Sequence, residues 1–524
     1  MIYDFVIVGG GSTGAVLAAR LTENSDTTVL LLEAGPVEPD PEADQLGAVD
    51  FSHTGRDWGF QARTSGDATA PYPQGRTLGG GSSVNGGVAL RGMPSDYDAW
   101  ASPNWSWEAM APCFRRLEDD QFGGDLHGIG GPIPIRRAAK DDLVAPQQQL
   151  LTAAEDNGLA WVDDHNDGVS EGIGPSPQNV VDGDDDRLRS WWPGSSLPNP
   201  SEKVRVSTAM AYLRPADGRP NLHIIGGAYA HHIVIERDRA TAVAYSPRDS
   251  SLEQARGRHI VVCAGALNSP ALLLRSGIGP VRDLEAVGIR SVVDLPGVGI
   301  NLMEHVGAFI FVVPPEGAVT TDMVQHQLLI RYSSPQSPVT NDMQIGMMNH
   351  WDLSQNGPLA EVCGSEMIWG ICAGIQVPRS RGRLRVLSPD PGHPPVIDLN
   401  LLDRPDDVAQ LVDGLRLCHR LATHEALSER FERVAVLDEA AFANSDDDAL
   451  ADYARQFCFP WYHASGTCRM GPDPNAGDVV DDLGQVHGID RLSVFDASIL
   501  PMIPRANTNL TCIAVGERAA ELLR

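Results

Sequence analysis

Residues 3–14 read YDFVIVGGGSTG, an apolar run that ends in three spaced glycines. The apolar half predicts a buried strand, and residues 13–21 predict the helix that follows it. In such a turn Gly9 allows a tight bend, Gly11 leaves room for a pyrophosphate, and Gly14 lets the helix approach the sheet. This stretch therefore predicts the first strand, turn and helix of a dinucleotide-binding fold.

A second apolar run, VLLL at residues 29–32, is followed directly by Glu33. A carboxylate at the end of that strand can accept hydrogen bonds from ribose hydroxyls, while the preceding helix points free N–H groups at the phosphates. Strand, glycines, helix, strand and acid occur in the expected order, which favours a dinucleotide site over a chance glycine-rich turn. Ser12, Thr13 and Ala34 are predicted to line it.

Length and charge restrict the class of protein. The chain has 524 residues, a hydrophobic content of 42% and a formal net charge of -29. Two or more domains are expected, and the negative charge argues against nucleic acids and anionic membranes as partners. No apolar run is long enough for a transmembrane helix. The first strand begins too early to leave room for a signal peptide, so we expect a cytoplasmic protein.

The eight cysteines are scattered and form no CxxC pair. In a chain of this size, that distribution favours buried free thiols over disulfides or a zinc site. We therefore expect no metal centre.

The remaining strand patterns fall into two groups. One group continues the dinucleotide-binding sheet, at residues 222–225, 233–235, 259–263 and 492–495. The other predicts a second, sheet-rich domain, at residues 309–313, 328–332, 344–348 and 384–387. Helices are expected after strand 259–263 and at residues 406–421, 447–457 and 514–523. Two polar stretches, 36–45 and 182–203, are expected to be loops, and Trp191-Trp192 in the second would cap a pocket or pack on the surface.

Five further segments resemble signatures of the glucose–methanol–choline (GMC) family of flavoprotein oxidoreductases. They are GRTLGGGSSVNG at residues 75–86, GALNSP to GIGP at 265–280, LPGVGINLMEH at 295–305, YHASGTCRMG at 462–471, and ANTN with GERAA at 506–520. Within the family the chain is most similar to bacterial alcohol oxidases of the hydroxymethylfurfural-oxidase type, through residues 91–100, 126–135 and 463–466.

The resemblance implies an α/β fold with a Rossmann-like FAD-binding domain and a second, sheet-rich α+β substrate-binding domain. The FAD-binding domain would be discontinuous, comprising residues 1–155, 205–305 and 465–524. Residues 156–204 and 306–464 would form the substrate-binding domain and a lid loop. The adjacent Glu304 and His305 suggest a dyad, but we expect this pair to order the junction between the domains.

The resemblance also implies which residues contact FAD. They are Gly9, Gly11, Ser12, Thr13, Gly14, Glu33, Ala34, Arg76, Gly81, Ser82, Asn85, Gly86, Ala230, Asp496, Ala497, Asn507 and Thr508. Some family members tether the flavin through a histidine at the position of Val84. Valine cannot form that bond, so non-covalent FAD is expected.

His463 is the expected base for the hydroxyl proton of an alcohol, and the flavin would accept the hydride. Asn507 would donate a hydrogen bond to the substrate oxygen as it gains negative charge, although it could instead be only a flavin ligand or a turn former. Trp461 and Tyr462 are the expected pocket residues.

The expected activity is oxidation of a primary alcohol, aryl, furanic or similar, to an aldehyde, with the acid accessible through the aldehyde hydrate. The electron acceptor is dioxygen or another molecule. A flavin-containing hydroxynitrile lyase is an alternative, which Asn507 disfavours because such lyases carry a second histidine there. An NAD-dependent dehydrogenase would explain only the first motif. The sequence assigns neither the alcohol nor the oligomeric state.

Overall fold

The fold is taken from a computed structural model of the 524-residue chain. The structure describes all residues except 47–54, 193, 194, 196, 200, 201, 248–250, 322, 336, 355, 437, 438 and 445.

The first sheet has a parallel core that is extended by an antiparallel meander. Its parallel strands are Leu222–Ile225, Val29–Leu32, Ile2–Val8, Glu253–Val262 and Leu492–Val494, in that order. Arg239–Ser246 and Tyr229–Glu236 continue from the first half of Glu253–Val262. Helices cover the parallel part, which explains why Val29–Leu32 is apolar and buried throughout. The predicted dinucleotide-binding sheet is confirmed.

The second sheet is antiparallel. Its order is Arg433–Val434, Val306–Val313, Met367–Ile375, Met343–Asp352, Leu328–Tyr332 and Gly172–Pro175, with Phe459–Pro460 also paired to Val306–Val313. The long helix Pro405–Ala422 packs on it. There, Gly414 allows a close approach, because a Cβ on this residue would lie 2.7 Å from the Cβ of Ala373.

The smaller sheets join distant parts of the chain. One has the order Arg383–Arg385, Val396–Asp398, Phe60–Arg63 and Thr69–Tyr72, and the others pair Ile278–Gly279 with Val293–Asp294, Glu118–Asp120 with Ile133–Ile135, and Val180–Asp182 with Lys203–Arg205. The four-stranded sheet combines strands within residues 60–72, which we assigned to the FAD-binding domain, with strands within residues 383–398, which we assigned to the substrate-binding domain. The domain boundaries remain a prediction.

The α-helices of the described residues are Ser12–Leu21, Pro41–Asp44, Pro94–Asp98, Trp107–Leu117, Ala145–Asp156, Arg187–Trp191, Gly265–Arg275, Val281–Ala286, Gly357–Cys363, Pro405–Ala422, Glu439–Ala443, Asp447–Phe457 and Thr508–Leu522. The last begins six residues earlier than predicted. Its N-cap is therefore Asn507, which brings this residue to the start of a helix.

The two polar stretches are not simple loops. The helix Pro41–Asp44 interrupts the first, and Arg187–Trp191 interrupts the second. Trp191 and Trp192 are 6% and 2% exposed, and the Trp192 indole N–H donates to Asp44 at 3.1 Å. The expectation of a surface pair was wrong, because both rings are buried, and neither ring lines the cavity described below.

A buried ionic cluster contains the residues most suggestive of a metal site. Its members are Arg91, Glu118, Asp120, His127, Arg137 and Asp164. Burial alone would lower the pKa of His127, but the carboxylates of Asp164, at 2.8 Å, and Glu118 raise it to about 9. Three positive groups thus balance three carboxylates, and we interpret the cluster as structural.

The eight cysteines are free, six of them buried, as the sequence suggested. Among the residues that the structure describes, we find no helix with both the length and the apolar character needed to span a bilayer.

Candidate active site

A cavity of about 610 Å³ runs from the parallel sheet to the antiparallel sheet. Its volume is within the range typical of ligand sites. Most of the predicted cofactor residues line it: Gly9, Gly11, Ser12, Thr13, Glu33, Ala34, Gly81, Asn85, Gly86, Ala230, Asp496, Ala497, Asn507 and Thr508. So do His463, Trp461 and Tyr462. The expected base and the expected cofactor residues therefore share one cavity.

The glycine turn at the start of the chain has the geometry that its spacing predicted. Gly9 has a φ of +100°, and a Cβ on it would lie 2.4 Å from the carbonyl oxygen of Cys263. A Cβ on Gly14 would lie 2.0 Å from the carbonyl oxygen of Gly9. At Gly11 the nearest atom would be 3.9 Å away. Gly9 and Gly14 thus permit close packing, and Gly11 leaves open space at the cavity wall.

Three helices start at this cavity, namely Ser12–Leu21, Gly265–Arg275 and Thr508–Leu522. Their N-cap residues, Gly11, Ala264 and Asn507, make no side-chain capping hydrogen bond. The positive ends of three helix dipoles therefore face one space. Such an arrangement favours an anionic group, and a diphosphate fits it.

Glu33 is 6% exposed and accepts hydrogen bonds from the backbone N–H groups of Gly10 and Gly35, at 2.9 and 2.8 Å. Burial raises the pKa of this carboxyl to about 7. Ribose hydroxyls that donate hydrogen bonds to the Glu33 carboxylate would compensate for its loss of solvent, in line with the ribose contact expected from the sequence. The residues of this part of the cavity fit a dinucleotide.

Gly14, Arg76 and Ser82 are not among the residues that line the cavity. The Ser82 hydroxyl donates to the Gly79 carbonyl at 2.7 Å. The Arg76 guanidinium lies 5.9 Å from the centre of the Trp58 ring. Gly14 packs on the turn, as described above. All three residues thus contact other parts of the protein, and their contact with FAD remains a prediction.

A buried arginine supports the segment that carries Asn85. Arg205 is 1% exposed and donates to the carbonyl of Asn85 and, at 2.8 Å, to that of Ser83. Because two backbone carbonyls are held by one rigid guanidinium, the segment has a fixed position at the cavity wall.

His463 lies where the cavity meets the second sheet. Its Nε2 atom is 3.3 Å from the amide nitrogen of Asn507, and its Nδ1 atom is 2.9 Å from Nδ1 of His305. Burial lowers the pKa of His463 to about 3. The imidazole is therefore neutral at physiological pH, the form that can accept a proton.

The backbone at His463 is held in an unusual conformation. Tyr462 has a φ of +63°, which is uncommon for an aromatic residue. The backbone N–H of His463 donates to Oε1 of Glu304 at 2.7 Å, and Oε2 of the same carboxyl accepts a hydrogen bond from the Tyr72 hydroxyl. Tyr72 in turn accepts from the Ala464 N–H at 3.1 Å. Burial raises the pKa of Glu304 to about 8.

For Glu304 and His305, ordering of a domain junction was preferred over a role as a dyad. That expectation was incomplete, because His305 contacts the ring of His463 and Glu304 contacts its backbone. The sequence signal for this contact is weak, since 158 positions separate His305 from His463.

Two glycines in the second sheet make room for Trp461. Gly307 and Gly374 are directly opposite each other on neighbouring strands. A Cβ on Gly307 would lie 2.3 Å from Nε1 of Trp461, and one on Gly374 would lie 2.0 Å from its Cζ2. A glycine inside a strand can mark such a close approach. The indole therefore rests on the sheet and forms a fixed wall of the cavity.

The part of the cavity next to His463 is largely apolar. Met348, Trp351 and Phe459 lie on strands of the second sheet and line the cavity together with Val88, Trp461 and Tyr462. The charged side chains of the described lining are those of Glu33, Arg275 and Asp496. The Asp496 carboxylate accepts hydrogen bonds from the Gly265 backbone N–H at 2.9 Å and from the Ser269 hydroxyl at 2.5 Å. Sequence reasoning missed Val88, Met348, Trp351 and Phe459, because no local motif marks them.

Two models of the GMC oxidoreductase family match the chain, one over residues 3–307 and the other over residues 378–516. The chain is 34% identical to 5-(hydroxymethyl)furfural oxidase of Methylovorus sp. (strain MP688), over 100% of this chain and 98% of that protein. It is 30% identical to alcohol dehydrogenase (acceptor) of Pseudomonas putida, over 100% and 96%.

The crystal structure of pyridoxine 4-oxidase from Mesorbium loti superposes with a TM-score of 0.87 at 28% identity, covering 99% of this chain and 98% of that chain. This likeness confirms the α/β fold with a second, sheet-rich domain. The chain therefore belongs to the GMC oxidoreductase family, whose members bind FAD, and it is an oxidoreductase that acts on CH–OH groups.

Proposed function

We propose that this protein oxidises a primary alcohol with an aryl or furanic ring to the aldehyde, with His463 as the base. The observation that carries the proposal is the single cavity that joins three parts. They are the dinucleotide cradle (the glycine turn, the three helix starts and Glu33), a neutral histidine and an apolar pocket. Each of these parts has a different task in removing a proton and a hydride from one CH–OH group.

The cradle would hold FAD without a covalent bond. The uncapped helix starts at Gly11, Ala264 and Asn507 would face the diphosphate, and Glu33 would accept ribose hydroxyls. Within the described chain, the buried Oδ1 of Asn507 and Nδ2 of Asn509 lack hydrogen-bond partners, which supports a polar ligand at this end. FAD bound here would supply the acceptor for the hydride.

The proton chemistry belongs to His463 and Asn507. We propose that the Nε2 lone pair of His463 takes the hydroxyl proton of the alcohol as the hydride leaves its carbon, so that the C–O bond becomes the carbonyl. The Asn507 amide nitrogen, 3.3 Å from that Nε2, would donate to the same oxygen as its negative charge grows. Both groups would thus act on one oxygen atom.

The substrate class follows from the walls beside His463. Four aromatic residues, Trp351, Phe459, Trp461 and Tyr462, line this part of the cavity, and flat rings pack well against such walls. The relative named for 5-(hydroxymethyl)furfural, a furanic primary alcohol, supports this choice. A hydrated aldehyde also presents a CH–OH group, so further oxidation to the acid would use the same residues.

The electron acceptor is dioxygen or another molecule, and the relatives include both an oxidase and an acceptor-dependent dehydrogenase. The protonated His463 left after alcohol oxidation would favour dioxygen, because a positive charge stabilises developing superoxide. Rapid return of flavin colour in air, with peroxide, indicates an oxidase, whereas slow return indicates a dedicated acceptor.

We predict that denaturation releases intact FAD, because Val84 occupies the position from which some relatives tether it. Val84 lines the cavity, and its side chain has no atom able to bond to the flavin. The protein is denatured and filtered, and the absorption spectra of filtrate and protein are compared. Flavin fluorescence that stays with the chain on a denaturing gel contradicts non-covalent binding.

We predict that Gly374→Ala impairs the use of bulky aromatic alcohols, because the new methyl group displaces Trp461. KM for such alcohols should rise about tenfold, and overpacking of this kind costs about 1–3 kcal/mol of stability. FAD content should stay unchanged. Gly346→Ala on the adjacent strand is the control, since a Cβ there meets nothing within 4 Å. Equal effects of the two substitutions would refute the role of the glycine.

We predict that His463→Ala slows anaerobic flavin reduction by a factor of about 10² to 10⁴, the usual contribution of a positioned base. The purified holoenzyme is mixed without oxygen with furanic and aryl alcohols and with choline as a cationic comparison. Bleaching of the flavin band gives the rate constant. His393→Gln is the control, because His393 has a side chain that is 66% exposed.

If the His463→Ala protein reduces its flavin at the wild-type rate, His463 is not the base. Faster bleaching by choline than by every ring alcohol would overturn the substrate class. Formation of a carbonyl from a hydroxynitrile without any bleaching would support the lyase alternative.

A further inference from the structure

The rings of His305 and His463 are in direct contact in the core of the site. Their Nδ1 atoms are 2.9 Å apart, and the ring planes meet at 88° with centroids 5.1 Å apart. A hydrogen bond between two nitrogen atoms needs one proton. One imidazole must therefore donate from Nδ1, and the other must accept at Nδ1.

The surroundings of His305 determine which ring donates. Its Nε2 atom lies 3.1 Å from the backbone carbonyl oxygen of Gln376, which can only accept, so this nitrogen carries a proton. The Pro504 carbonyl is a further acceptor beside the ring. Burial lowers the pKa of His305 well below its usual value, and His463 lowers it further. A neutral ring with a proton on Nε2 has a bare Nδ1.

The proton between the rings therefore belongs to Nδ1 of His463, which leaves Nε2 of His463 with a lone pair. The Asn507 amide nitrogen, a donor, lies 3.3 Å from that Nε2. Two independent contacts, one on each side of the His463 ring, thus agree on the same tautomer.

We propose that His305 is a positioning residue that fixes His463 as the Nδ1–H tautomer and so directs its basic Nε2 into the cavity. This inference rests on the proposed role of His463 as the base. The Gln376 carbonyl, His305 and His463 form a chain in which every N–H points away from the cavity.

The same chain accommodates the protonated base. When Nε2 of His463 gains a proton, its Nδ1–H still points at the lone pair of His305, and no second proton needs to move. Among the described residues no carboxylate hydrogen-bonds either ring. Glu304 reaches only the backbone of His463, and Tyr72 and Tyr462 are the other titratable groups close to that turn. A neutral histidine thus occupies the place that a carboxylate takes in a catalytic triad.

The tautomer can be read without any activity measurement. FAD-loaded protein is produced with 15N-labelled histidine, and the His463 signals are identified by their loss in His463→Gln. The proposal predicts a protonated Nδ1 and an unprotonated Nε2 for His463 in the resting holoenzyme, with the reverse pattern for His305. A proton on Nε2 of neutral His463 would overturn it.

Two substitutions test whether His305 sets that state. His305→Asn can keep an acceptor oxygen near the Nδ1 position, whereas His305→Leu removes it. Groups that orient metal-binding histidines typically contribute about 10- to 100-fold to activity, and we take the same magnitude for a histidine that orients a base. We expect His305→Leu to slow anaerobic flavin reduction within that range and to yield mixed tautomers, with KM little changed. His305→Asn should lose much less of the rate than His305→Leu, because it keeps the acceptor.

Equal rates and spectra for the Asn and Leu variants would refute the proposal. If both variants lose FAD or fail to fold, the wild-type spectrum decides, and a protonated Nε2 on His463 would refute the proposal. The failure of the proposed function gives a different result. In that case His463→Ala would reduce its flavin at the wild-type rate, whatever the tautomer of His463.

Discussion

The site depends on the backbone pairing between residues 303–305 and 461–465. Met303 and Ser465 exchange hydrogen bonds of 2.9 and 3.0 Å, and the Trp461 N–H donates to the His305 carbonyl at 2.9 Å. Further along, the N–H groups of Gly466 and Cys468 donate to the carbonyls of Ala497 and Ser498. One segment is thus hydrogen-bonded to the residues just before the strand Val306–Val313 of the second sheet and to the short 3-10 turn Ala497–Ile499, which follows a strand of the first sheet. His463 lies between these two attachments, at the boundary of the dinucleotide cradle and the apolar pocket.

Burial controls the charge of the groups around His463. It lowers the pKa of both histidines and raises the pKa of Glu304 to about 8, because a poorly solvated site disfavours every charged form. Direction then comes from hydrogen bonds: a carbonyl orients His305, His305 orients His463, and Asn507 meets the free nitrogen. Under the proposed function, this arrangement keeps His463 neutral before the reaction and aims its Nε2 at the cavity.

The N-terminal unit was predictable from sequence, because the functions of Gly9, Gly14 and Glu33 depend on local spacing along a strand, a turn and a helix. The family and the position of His463 followed from longer motifs. The apolar wall was not predictable, since Met348, Trp351 and Phe459 reach the cavity only through strand pairings in a sheet assembled from distant segments. The contact between His305 and His463, and the burial of Trp191 and Trp192, have the same origin. Such contacts join residues far apart in the chain and leave no local pattern.

The pH dependence of flavin reduction in the wild-type protein tests the central claim most directly. The rate constant is measured anaerobically with a saturating ring alcohol. A base that is neutral at rest predicts a constant rate above about pH 6.5, the ordinary pKa of histidine, with a fall only at lower pH. A rate that instead rises with an apparent pKa above 6.5, and does so equally in Glu304→Gln, would mean that His463 is charged at rest and would contradict the account.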